Sequence, residues 1–376
     1  MSAEMILAVV ALSLILLLLV TVIVLSVQLR RQAHLVHRLV EGLDSVSLQV
    51  QTISSVPSVA RSLDPAQKVA LILNPVKPHA AETRHQVEVT ARVAGMPPVM
   101  VYETTETDPG TAMAEQALAD GATVVLAAGG DGTVRRVAEV LAGTDASLGI
   151  LPLGTGNLLA RNLHLPIADM EQCIAIALQG HHRAIDTVSI RLTNQDGSVQ
   201  RTAFTVIAGV GYDAEIMDTT NDTLKQHAGW LAYGEAGMRQ LAGKRKEISV
   251  SLDGGPLQRY QVRSVMVANC GLLTGGINFV PHAVIDDGLL DVVLLSPRHV
   301  VDWLRIAGKT LLKSRRKLPV LESHQATQCK IVLHEPMTSQ LDGDASGQVR
   351  EISARVQPES LRVQVPERPN SSVTQA

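Results

Sequence analysis

Aromatic side chains are scarce in this chain: they make up 2% of its 376 residues, whereas 46% of the residues are hydrophobic. Aliphatic side chains must therefore form most of any core. Cysteine is also rare, and its three copies, Cys173, Cys270 and Cys329, lie far apart. This spacing fits neither a disulfide framework nor a zinc site and favours a reducing compartment. The net charge of −3 gives no general attraction for nucleic acid, so we expect no nucleic-acid partner.

Charged residues, proline and glycine are all missing from residues 5–27. At about 1.5 Å per residue this run would span about 34 Å as a helix, enough to cross a hydrocarbon layer of about 30 Å. The alternatives are a cleaved signal peptide and a buried core helix, but the run lacks a basic leader and is longer than most core helices. Arg30, Arg31 and Arg38 follow it, and this positive flank favours a cytoplasmic location for the rest. The sequence therefore predicts a transmembrane helix and a single-pass membrane protein with cytoplasmic domains.

Residues 28–66 are predicted to connect this helix to the later domains. Apolar residues recur there every seven positions, at Leu29, Val36, Leu43 and Val50, which is typical of a short coiled coil. A glycine and several serine and β-branched residues disfavour a continuous helix. A dimerising stalk, a helix at the membrane surface and a loose linker all stay open, so a homodimer is one candidate assembly.

From residue 67 the sequence alternates short apolar runs with amphipathic stretches. The strand candidates are 69–75, 98–104, 123–130 and 148–154. Alternation of strands and helices at this spacing predicts a doubly wound parallel α/β domain over residues 67–182.

After residue 183 the pattern changes to short strands joined by turns that contain asparagine, glycine or aspartate. It predicts a mostly antiparallel β-sandwich domain over residues 183–366, interrupted by helices around 222–242 and 298–313. Residues 367–376 are polar and are predicted to be a disordered tail. The predicted fold class is thus α/β plus β: an N-terminal transmembrane helix, a doubly wound α/β domain and a β-rich C-terminal domain.

Four successive strands of the predicted α/β domain end in polar or glycine-rich residues. The first is followed by Asn74, Pro75 and Lys77, and the second by Thr104 and Thr105. The third runs into Gly129, Gly130, Asp131, Gly132 and Thr133, and the fourth into Gly154, Thr155, Gly156 and Asn157. Because parallel strands end at one edge of a sheet, these groups predict a nucleotide crevice there.

Each glycine-rich turn is followed directly by a predicted helix. The unpaired N–H groups and the positive dipole end of such a helix favour an anionic phosphate. One turn of this kind is more often structural, whereas two in neighbouring units favour a ligand. Asp131 would repel a phosphate, so its expected role is to hold Mg²⁺ or to bond a hydroxyl. Arg135 and Arg136, one turn further along, add positive charge.

Several common nucleotide motifs are absent from the sequence: there is no G-x-x-x-x-G-K-[ST] loop, no H-R-D or D-F-G, and no G-x-G-x-x-G after the first strand. P-loop NTPases, protein kinases and ordinary NAD-binding Rossmann domains are therefore disfavoured.

The stretch GGDGT at 129–133, followed by PLGTGN at 152–157, resembles the diacylglycerol kinase catalytic-domain family, which includes bacterial lipid kinases and the sphingosine kinases. GGDGT alone also fits NAD kinases and, loosely, phosphofructokinases, whereas PLGTGN favours the lipid kinases. The similarity covers nearly all of the chain after residue 69, and it implies an ATP-dependent lipid kinase that converts diacylglycerol to phosphatidic acid. A sphingosine-type or other lipid kinase, an NAD-kinase-like enzyme with a soluble acceptor, and a weakly active nucleotide-binding membrane scaffold stay open as alternatives.

The resemblance implies an ATP site between the two domains. The family's motif residues map onto Asn74, Thr104 or Thr105, Gly130, Asp131, Gly132, Thr133, Val134, Arg135, Arg136 and Thr155. The first motif reads N-P-V-K-P where many members have N-P-x-S-G, so Lys77 is expected to meet the phosphates as a point charge instead.

The family's general base is the acid of a D-G-E motif, and the matching residue here is Asp344 in the stretch LDGD. Aspartate is one methylene shorter than glutamate, and a general base must come within about 3 Å of the hydroxyl that it deprotonates. The family pattern also implies a structural Mg²⁺ on the carboxylate of Asp287 and the main-chain oxygens of Val284 and Leu289. Without the resemblance, this stretch would be interpreted as a hairpin turn. ATP and Mg²⁺ are thus the expected cofactors, and a membrane lipid is the expected acceptor.

Overall fold

The computed structural model describes residues 67–211, 245–273, 278–299, 301–302, 305–306, 308 and 318–366. All of these residues belong to one compact unit, Leu63–Ala376. Three of the predicted features lie outside the described residues: the stalk, the helix around 222–242 and the tail. The helix predicted around 298–313 lies largely outside them.

The prediction of a membrane-spanning helix is wrong for the described structure. Among the described residues, no helix is long and apolar enough to cross a bilayer. The longest of them, Ala80–Val93, has 14 residues and so reaches about 21 Å, short of a hydrocarbon layer of about 30 Å. The predicted segment, residues 5–27, itself lies outside the described residues. We therefore correct the fold class to α/β plus β and set aside the single-pass membrane location that depended on the helix.

The first half of the described chain alternates strands and helices. Its elements are β1 (Val69–Leu73), α1 (Ala80–Val93), β2 (Met100–Glu103), α2 (Thr111–Ala119), β3 (Val124–Gly129), α3 (Asp131–Leu141), β4 (Ser147–Pro152), α4 (Leu158–Asn162) and α5 (Met170–Gln179). The strands are parallel and lie in the order β2–β1–β3–β4. Helices α2 and α3 pack on one face of the sheet, and α1 and α5 pack on the other. Both faces of β1 and β3 are therefore buried, which explains their unbroken aliphatic sequences.

The strand order reverses between β1 and β3, so the carboxyl ends of these two strands mark the topological switch point of the sheet. β1 and β3 are neighbours, but the chain leads outward from β1 to β2 and, on the other side, from β3 to β4. In doubly wound folds the ligand crevice lies at such a point, outside the carboxyl ends of the strands. Asn74, which follows β1, donates its N–H to the carbonyl of Ala128 in β3 at 2.9 Å, so the two strand ends stay side by side.

The second half of the described chain is a β-sandwich. Its strands are β5 (His181–Asn194), β6 (Val199–Phe204), β7 (Ile207–Gly211), β8 (Lys246–Leu252), β9 (Gln258–Val262), β10 (Ser264–Ala268), β11 (Leu290–Leu295), β12 (Leu321–Ala326), β13 (Gln328–Leu341) and β14 (Asp344–Val365). One run of strands is β6–β5–β14–β13–β8–β9, and a second leads from β13 through β7, β10 and β11 to β12. The inward-facing residues of both runs form one core that includes Phe204 and Ile248. This architecture agrees with the α/β and β-sandwich parts of the predicted fold class, while the predicted domain bounds stay predictions.

Strand β14 belongs to both halves of the described chain. It is 22 residues long and pairs antiparallel with β13 beginning at Asp344. Near its other end, Arg362 and Val363 pair in parallel with β4 of the first sheet. A single strand therefore connects the hairpin that carries Asp344 to the edge of the parallel sheet.

The pairing of β14 with β5 is irregular at two places, and the longer irregularity lies between Gln357 and Leu361. Glu359 lies in this stretch with a φ of 49°. Its N–H donates to Oδ1 of the fully buried Asp186 at 2.7 Å. The bulge is therefore held by a hydrogen bond to the neighbouring strand.

Candidate active site

The turn between β3 and α3 needs its first glycine for steric reasons. A Cβ on Gly129 would lie only 2.6 Å from the Cβ of Thr133, because the buried Thr133 side chain folds back beneath the turn. Gly130 then precedes α3 without a side-chain cap on the helix. The first N–H groups of α3 are thus available to an anion, as the sequence predicts for a phosphate site.

The turn between β4 and α4 is held by its own asparagine. Asn157 has a φ of 49°, a left-handed conformation that asparagine tolerates. Its side-chain amide donates to the carbonyl of Gly154 at 2.7 Å and accepts the Gly154 N–H at 3.1 Å. Thr155, at the tip of the turn, is exposed, and the carbonyl of Gly156 accepts a hydrogen bond from Arg161 at 2.7 Å.

The two glycine-rich turns lie directly against each other. A Cβ on Gly154 would be 2.7 Å from the Cα of Gly130, so the second turn has no room for a side chain at this contact, whereas a Cβ on Gly130 would lie at an ordinary 3.6 Å from the Cα of Gly154. Asp131 joins them, since its carboxylate accepts the N–H of Asn157 at 2.9 Å and that of Leu158 at 2.5 Å. The acid of GGDGT thereby caps the helix that follows PLGTGN. Its expected roles toward Mg²⁺ or a hydroxyl stay predictions.

Burial has the largest effect on the pKa of the Asp131 carboxyl, which bridges the two turns. It raises the pKa of Asp131 from 3.8 to about 6, and the charges of Asp342 and Asp344 act in the same direction. The hydrogen bonds from Leu158 and Asn157 oppose the rise in pKa without cancelling it. Several carboxylates therefore lie close enough to influence one another at the predicted nucleotide site.

The polar residues after β1 and β2 lie at the neighbouring strand ends. Lys77 extends toward the glycine turn, with its Nζ 3.9 Å from the place where a Cβ on Gly130 would be. Pro75 is exposed beside it, and Asn74 accepts the Val76 N–H at 3.3 Å.

The two threonines after β2 differ in their surroundings. Thr104 is buried and bonds to the end of β1 through its N–H. The Thr105 hydroxyl accepts the N–H of Asp108 at 3.0 Å. Asp108 in turn accepts the N–H groups of Gly110, Thr111 and Ala112 at the start of α2. The Thr105 hydroxyl is therefore engaged in a helix-capping turn.

The two arginines of α3 contact the β-sandwich. The Arg135 side chain is only 6% exposed, and its Nη1 lies 3.4 Å from the Thr202 hydroxyl of β6. Arg136 donates to Glu139 at 3.0 Å and to Thr202 at 3.3 Å. Val134, between Thr133 and Arg135, is buried in the core of the first half. Both guanidinium groups have protein partners, and their predicted contacts with ATP stay predictions.

The hairpin between β13 and β14 is anchored by a buried carboxylate. Asp342, which is 2% exposed, accepts the N–H groups of Thr205, Val206 and Ile207 and the Thr205 hydroxyl, all at 2.8–3.1 Å. Burial raises the pKa of Asp342, and these hydrogen bonds and the charge of Arg135 oppose that rise. The bonds fix the hairpin that presents Asp344.

Asp344 meets the first turn of α3. A Cβ on Gly132 would lie 2.7 Å from its Oδ2, and the same oxygen lies 3.6 Å from Nη2 of Arg135. The Asp344 side chain is 50% exposed, so one side of the carboxylate still faces solvent. The fold therefore brings the predicted base, more than two hundred residues later in the chain, to the GGDGT turn.

The ligands predicted for Mg²⁺ at the Asp287 turn are all oxygen atoms. Leu289 donates its N–H to Oδ1 of Asp287 at 3.0 Å, and Val284 is 48% exposed. Burial raises the pKa of Asp287, opposed by that N–H, and the charges of Asp186 and Asp286 raise it further. A divalent cation would relieve this excess of negative charge, and oxygen ligands suit Mg²⁺. In the described residues no three His, Cys, Asp or Glu side chains form a metal cluster, so a metal here would depend on main-chain oxygens and water.

Known proteins resemble this chain in sequence and in fold. Residues 68–190 match the diacylglycerol kinase catalytic domain, and residues 205–365 match the YegS C-terminal NAD kinase beta sandwich-like domain. A Pseudomonas fluorescens protein named "Probable lipid kinase YegS-like" is 31% identical over 316 residues, which cover 80% of this chain and 96% of that protein. The chain belongs to the diacylglycerol kinase catalytic-domain family.

Two further relatives extend this comparison. A diacylglycerol kinase of Bacillus subtilis is 27% identical over 286 residues, which cover 75% of this chain and 91% of the relative. A crystal structure of a diacylglycerol kinase from Bacillus anthracis aligns with a TM-score of 0.59 at 20% identity, covering 80% of this chain and 97% of that one. At this identity the alignment shows that the two proteins share a fold.

Three residues of this member of the diacylglycerol kinase catalytic-domain family contribute to the site without a sequence signal that singled them out. Asp342 anchors the Asp344 hairpin, and Asp186 accepts the Gly288 N–H of the Asp287 turn at 2.7 Å. Thr202 bonds both arginines of α3. The stretch LDGD pointed to Asp344 as the base and gave no sign that Asp342 is a buried carboxylate. Neither Asp186 nor Thr202 lies in a recognisable motif.

Gly154→Ala should separate the two glycine-rich turns. The added methyl group would overlap the Cα of Gly130, so we expect a loss of about 1–3 kcal/mol in the free energy of unfolding and clearly weaker ATP binding. Urea unfolding and calorimetric titration with ATP measure the two effects. Gly308→Ala is the matched control, because a Cβ there meets no atom of the described residues within 4 Å. Wild-type ATP binding by Gly154→Ala would contradict the importance of this contact.

The Asp131 carboxyl should make stability depend on pH between about 4 and 6. Its pKa is about 6 in the folded protein against an ordinary 3.8, so the folded state holds the proton more tightly. The free energy of unfolding should therefore fall by up to about 3 kcal/mol as the pH rises through this window. Urea unfolding of wild type and Asp131→Asn across this range isolates the effect, which the variant should lack.

The control for this pH dependence is Asp145→Asn, which changes a carboxylate that is 97% exposed. Its stability should follow that of the wild type at every pH. Identical pH dependence in wild type and Asp131→Asn would show that the raised pKa of Asp131 has no effect on folding.

Proposed function

We propose that this lipid kinase transfers the γ-phosphate of ATP to the hydroxyl of diacylglycerol, giving phosphatidic acid. The observation that carries the proposal is the contact between Asp344 and the first turn of α3. A carboxylate that can accept a proton lies there beside a turn that suits a phosphate. This is the arrangement that transfer to an alcohol needs.

The triphosphate of ATP is proposed to bind at the touching turns. Three features support this assignment: the uncapped start of α3, the absence of side chains at Gly130 and Gly154, and the Lys77 ammonium extending toward Gly130. Backbone N–H groups and a point charge stabilise phosphate oxygens without covalent chemistry. The protein's contribution would be mostly positioning and electrostatics.

The chemical step needs one base and one leaving group. The hydroxyl oxygen of the lipid attacks the γ-phosphorus, and a new O–P bond forms as the bond to the β,γ-bridging oxygen breaks. ADP leaves with that electron pair, and Asp344 takes the hydroxyl proton. The half-exposed carboxylate leaves room for an acceptor to approach from the solvent side.

Mg²⁺ is proposed to act as the cation of this reaction. When bound to the phosphates, it neutralises their charge. A second, structural ion would be held by the Asp287 carboxylate and the main-chain oxygens of Val284 and Leu289. The crowding of acids around Asp287 supports a cation at this turn.

Asp344→Asn should abolish most of the lipid phosphorylation. An amide in place of the carboxylate removes the proton acceptor, and loss of a general base typically lowers the rate by about 10²–10⁴-fold. The affinity for ATP should stay within about twofold of the wild-type value. The measurement is transfer from labelled ATP in mixed micelles, with diacylglycerol, sphingosine and NAD as alternative acceptors. Asp196→Asn, on an exposed hairpin turn, is the control that should keep wild-type activity.

Three outcomes of this assay would contradict the proposal. Full activity of Asp344→Asn would remove the assigned base. Phosphorylation of NAD in preference to any lipid would replace the acceptor class, and phosphorylation of sphingosine in preference to diacylglycerol would change the lipid.

Asp287→Asn should remove a stabilisation by Mg²⁺ that does not need nucleotide. A ligand that binds only the folded state raises the melting temperature with its concentration. We therefore expect MgCl₂ alone to raise the melting temperature of the wild type and of Asp145→Asn, but not that of Asp287→Asn. Equal rises in all three proteins would exclude this turn as the Mg²⁺ site.

A further inference from the structure

The guanidinium of Arg135 is buried and has few partners. Its side chain is 6% exposed, and its Nε has no hydrogen-bond partner among the described residues. Nη1 lies at 3.4 Å from the Thr202 hydroxyl, a long contact to a neutral group. A buried positive charge is costly unless an opposite charge lies close to it. The carboxylate that the structure brings within ion-pair distance is that of Asp344, at 3.6 Å from Nη2.

Asp344 depends on the same contact from its own side. Its side chain is half exposed and lies at the start of β14, next to Gly343, where an added Cβ would meet no atom within 4 Å. The surroundings on that side of the hairpin are therefore open. On the other side, the backbone of Gly132 limits how far the carboxylate can move toward α3. Arg135 and Gly132 therefore restrain the Oδ2 atom of Asp344 from two sides.

The length of this acid makes its position critical. The family's D-G-E motif ends in glutamate, whereas this chain has aspartate, which is one methylene shorter. A base that is misplaced by about 1 Å can lose about 10²-fold in rate. A shorter acid at the tip of an open hairpin needs a fixed partner if it is to reach the acceptor hydroxyl reproducibly.

We propose that Arg135 is a positioning residue for phosphoryl transfer: its buried guanidinium holds the Asp344 carboxylate at the first turn of α3. This role rests on the proposed function of Asp344 as the base. It replaces the role in ATP binding that the motif alone implied for Arg135. A side chain that is 94% covered by protein, and that contacts β6 and the Asp344 hairpin, has little surface left for a phosphate.

The test separates positioning from ATP binding. Arg135→Met and Arg135→Gln both remove the charge, and each should lower kcat for lipid phosphorylation by about 10–100-fold while the Kd for ATP stays within about twofold. Arg135→Lys keeps a cation and should recover most of the lost kcat. Circular dichroism and melting temperature establish that each variant is folded. If one of the two neutral variants does not fold, the other provides the same comparison.

A double variant tests whether the two residues act as one unit. In the Asp344→Asn background, Arg135→Met should lower kcat by less than about twofold further, because the group that it positions is already gone. A structural role for Arg135 would instead lower activity by a similar factor in both backgrounds. Arg191→Gln is the control for loss of an arginine–carboxylate pair, since Arg191 bonds Glu351 at 3.1 Å on the sandwich, and it should keep wild-type kcat.

The outcomes distinguish this inference from the proposed function. A wild-type protein that phosphorylates no lipid would overturn both. An active wild type with unchanged kcat in the neutral variants would overturn only the positioning role. A Kd for ATP raised more than about tenfold in Arg135→Met, with kcat unchanged, would return Arg135 to the nucleotide site. Additive losses in the double variant would also contradict the inference.

Discussion

The described site depends on the two hydrogen bonds that the Asp131 carboxylate accepts from the start of α4. They join the turn after β3 to the turn after β4, at a place where Gly154 has no space for a side chain. The N–H groups of Asn157 and Leu158 at the start of α4 are satisfied by a side chain from the preceding unit, whereas Gly130 provides no side-chain cap for α3. Burial of the carboxylate works against its charge, and the bonds offset that cost only partly. The site thus combines backbone hydrogen bonds that hold both turns with a negative charge on Asp131 that is only partly compensated. A cation bound nearby would stabilise that charge.

Carboxylates that accept backbone N–H groups perform the same task at three places in this fold. Asp131 holds one turn to another, Asp342 holds the hairpin of the base, and Asp186 holds both the Asp287 turn and the bulge of β14. In each case the partners are backbone N–H groups, which fix the position of a loop more strictly than a contact between two flexible side chains would. The loops around the site are therefore held by hydrogen bonds between these carboxylates and backbone N–H groups. Asp344, which faces solvent, is instead contacted by a side chain.

The local pattern of the sequence predicted the strands, the glycine-rich turns and their meeting at one sheet edge, because apolar runs and glycines report directly on backbone geometry. The resemblance indicated Asp344, although its contact with Gly132 joins residues that are far apart in the chain. Sequence reasoning did not find the cap that Asp131 provides, or the buried states of Asp186 and Asp342, because the letter for aspartate does not tell whether the side chain faces solvent, metal or backbone. The prediction of a membrane-spanning helix depended on the apolar run over 5–27, which lies outside the described residues, and the described part of the chain has no helix long and apolar enough to cross a bilayer.

The continuity of β14 sets a length constraint on the enzyme. The strand pairs with β4 at Arg362 and with β13 from Asp344 onward, with two register shifts in the pairing with β13, and its bulge is held by a hydrogen bond to Asp186. An inserted or deleted residue between these points would shift the hairpin by about 3.3 Å and turn the following side chains to the opposite face of the sheet. The spacing between the sandwich and the parallel sheet therefore depends on the number of residues in one strand, and a change by one residue would need a further bulge if the acid is to keep facing α3.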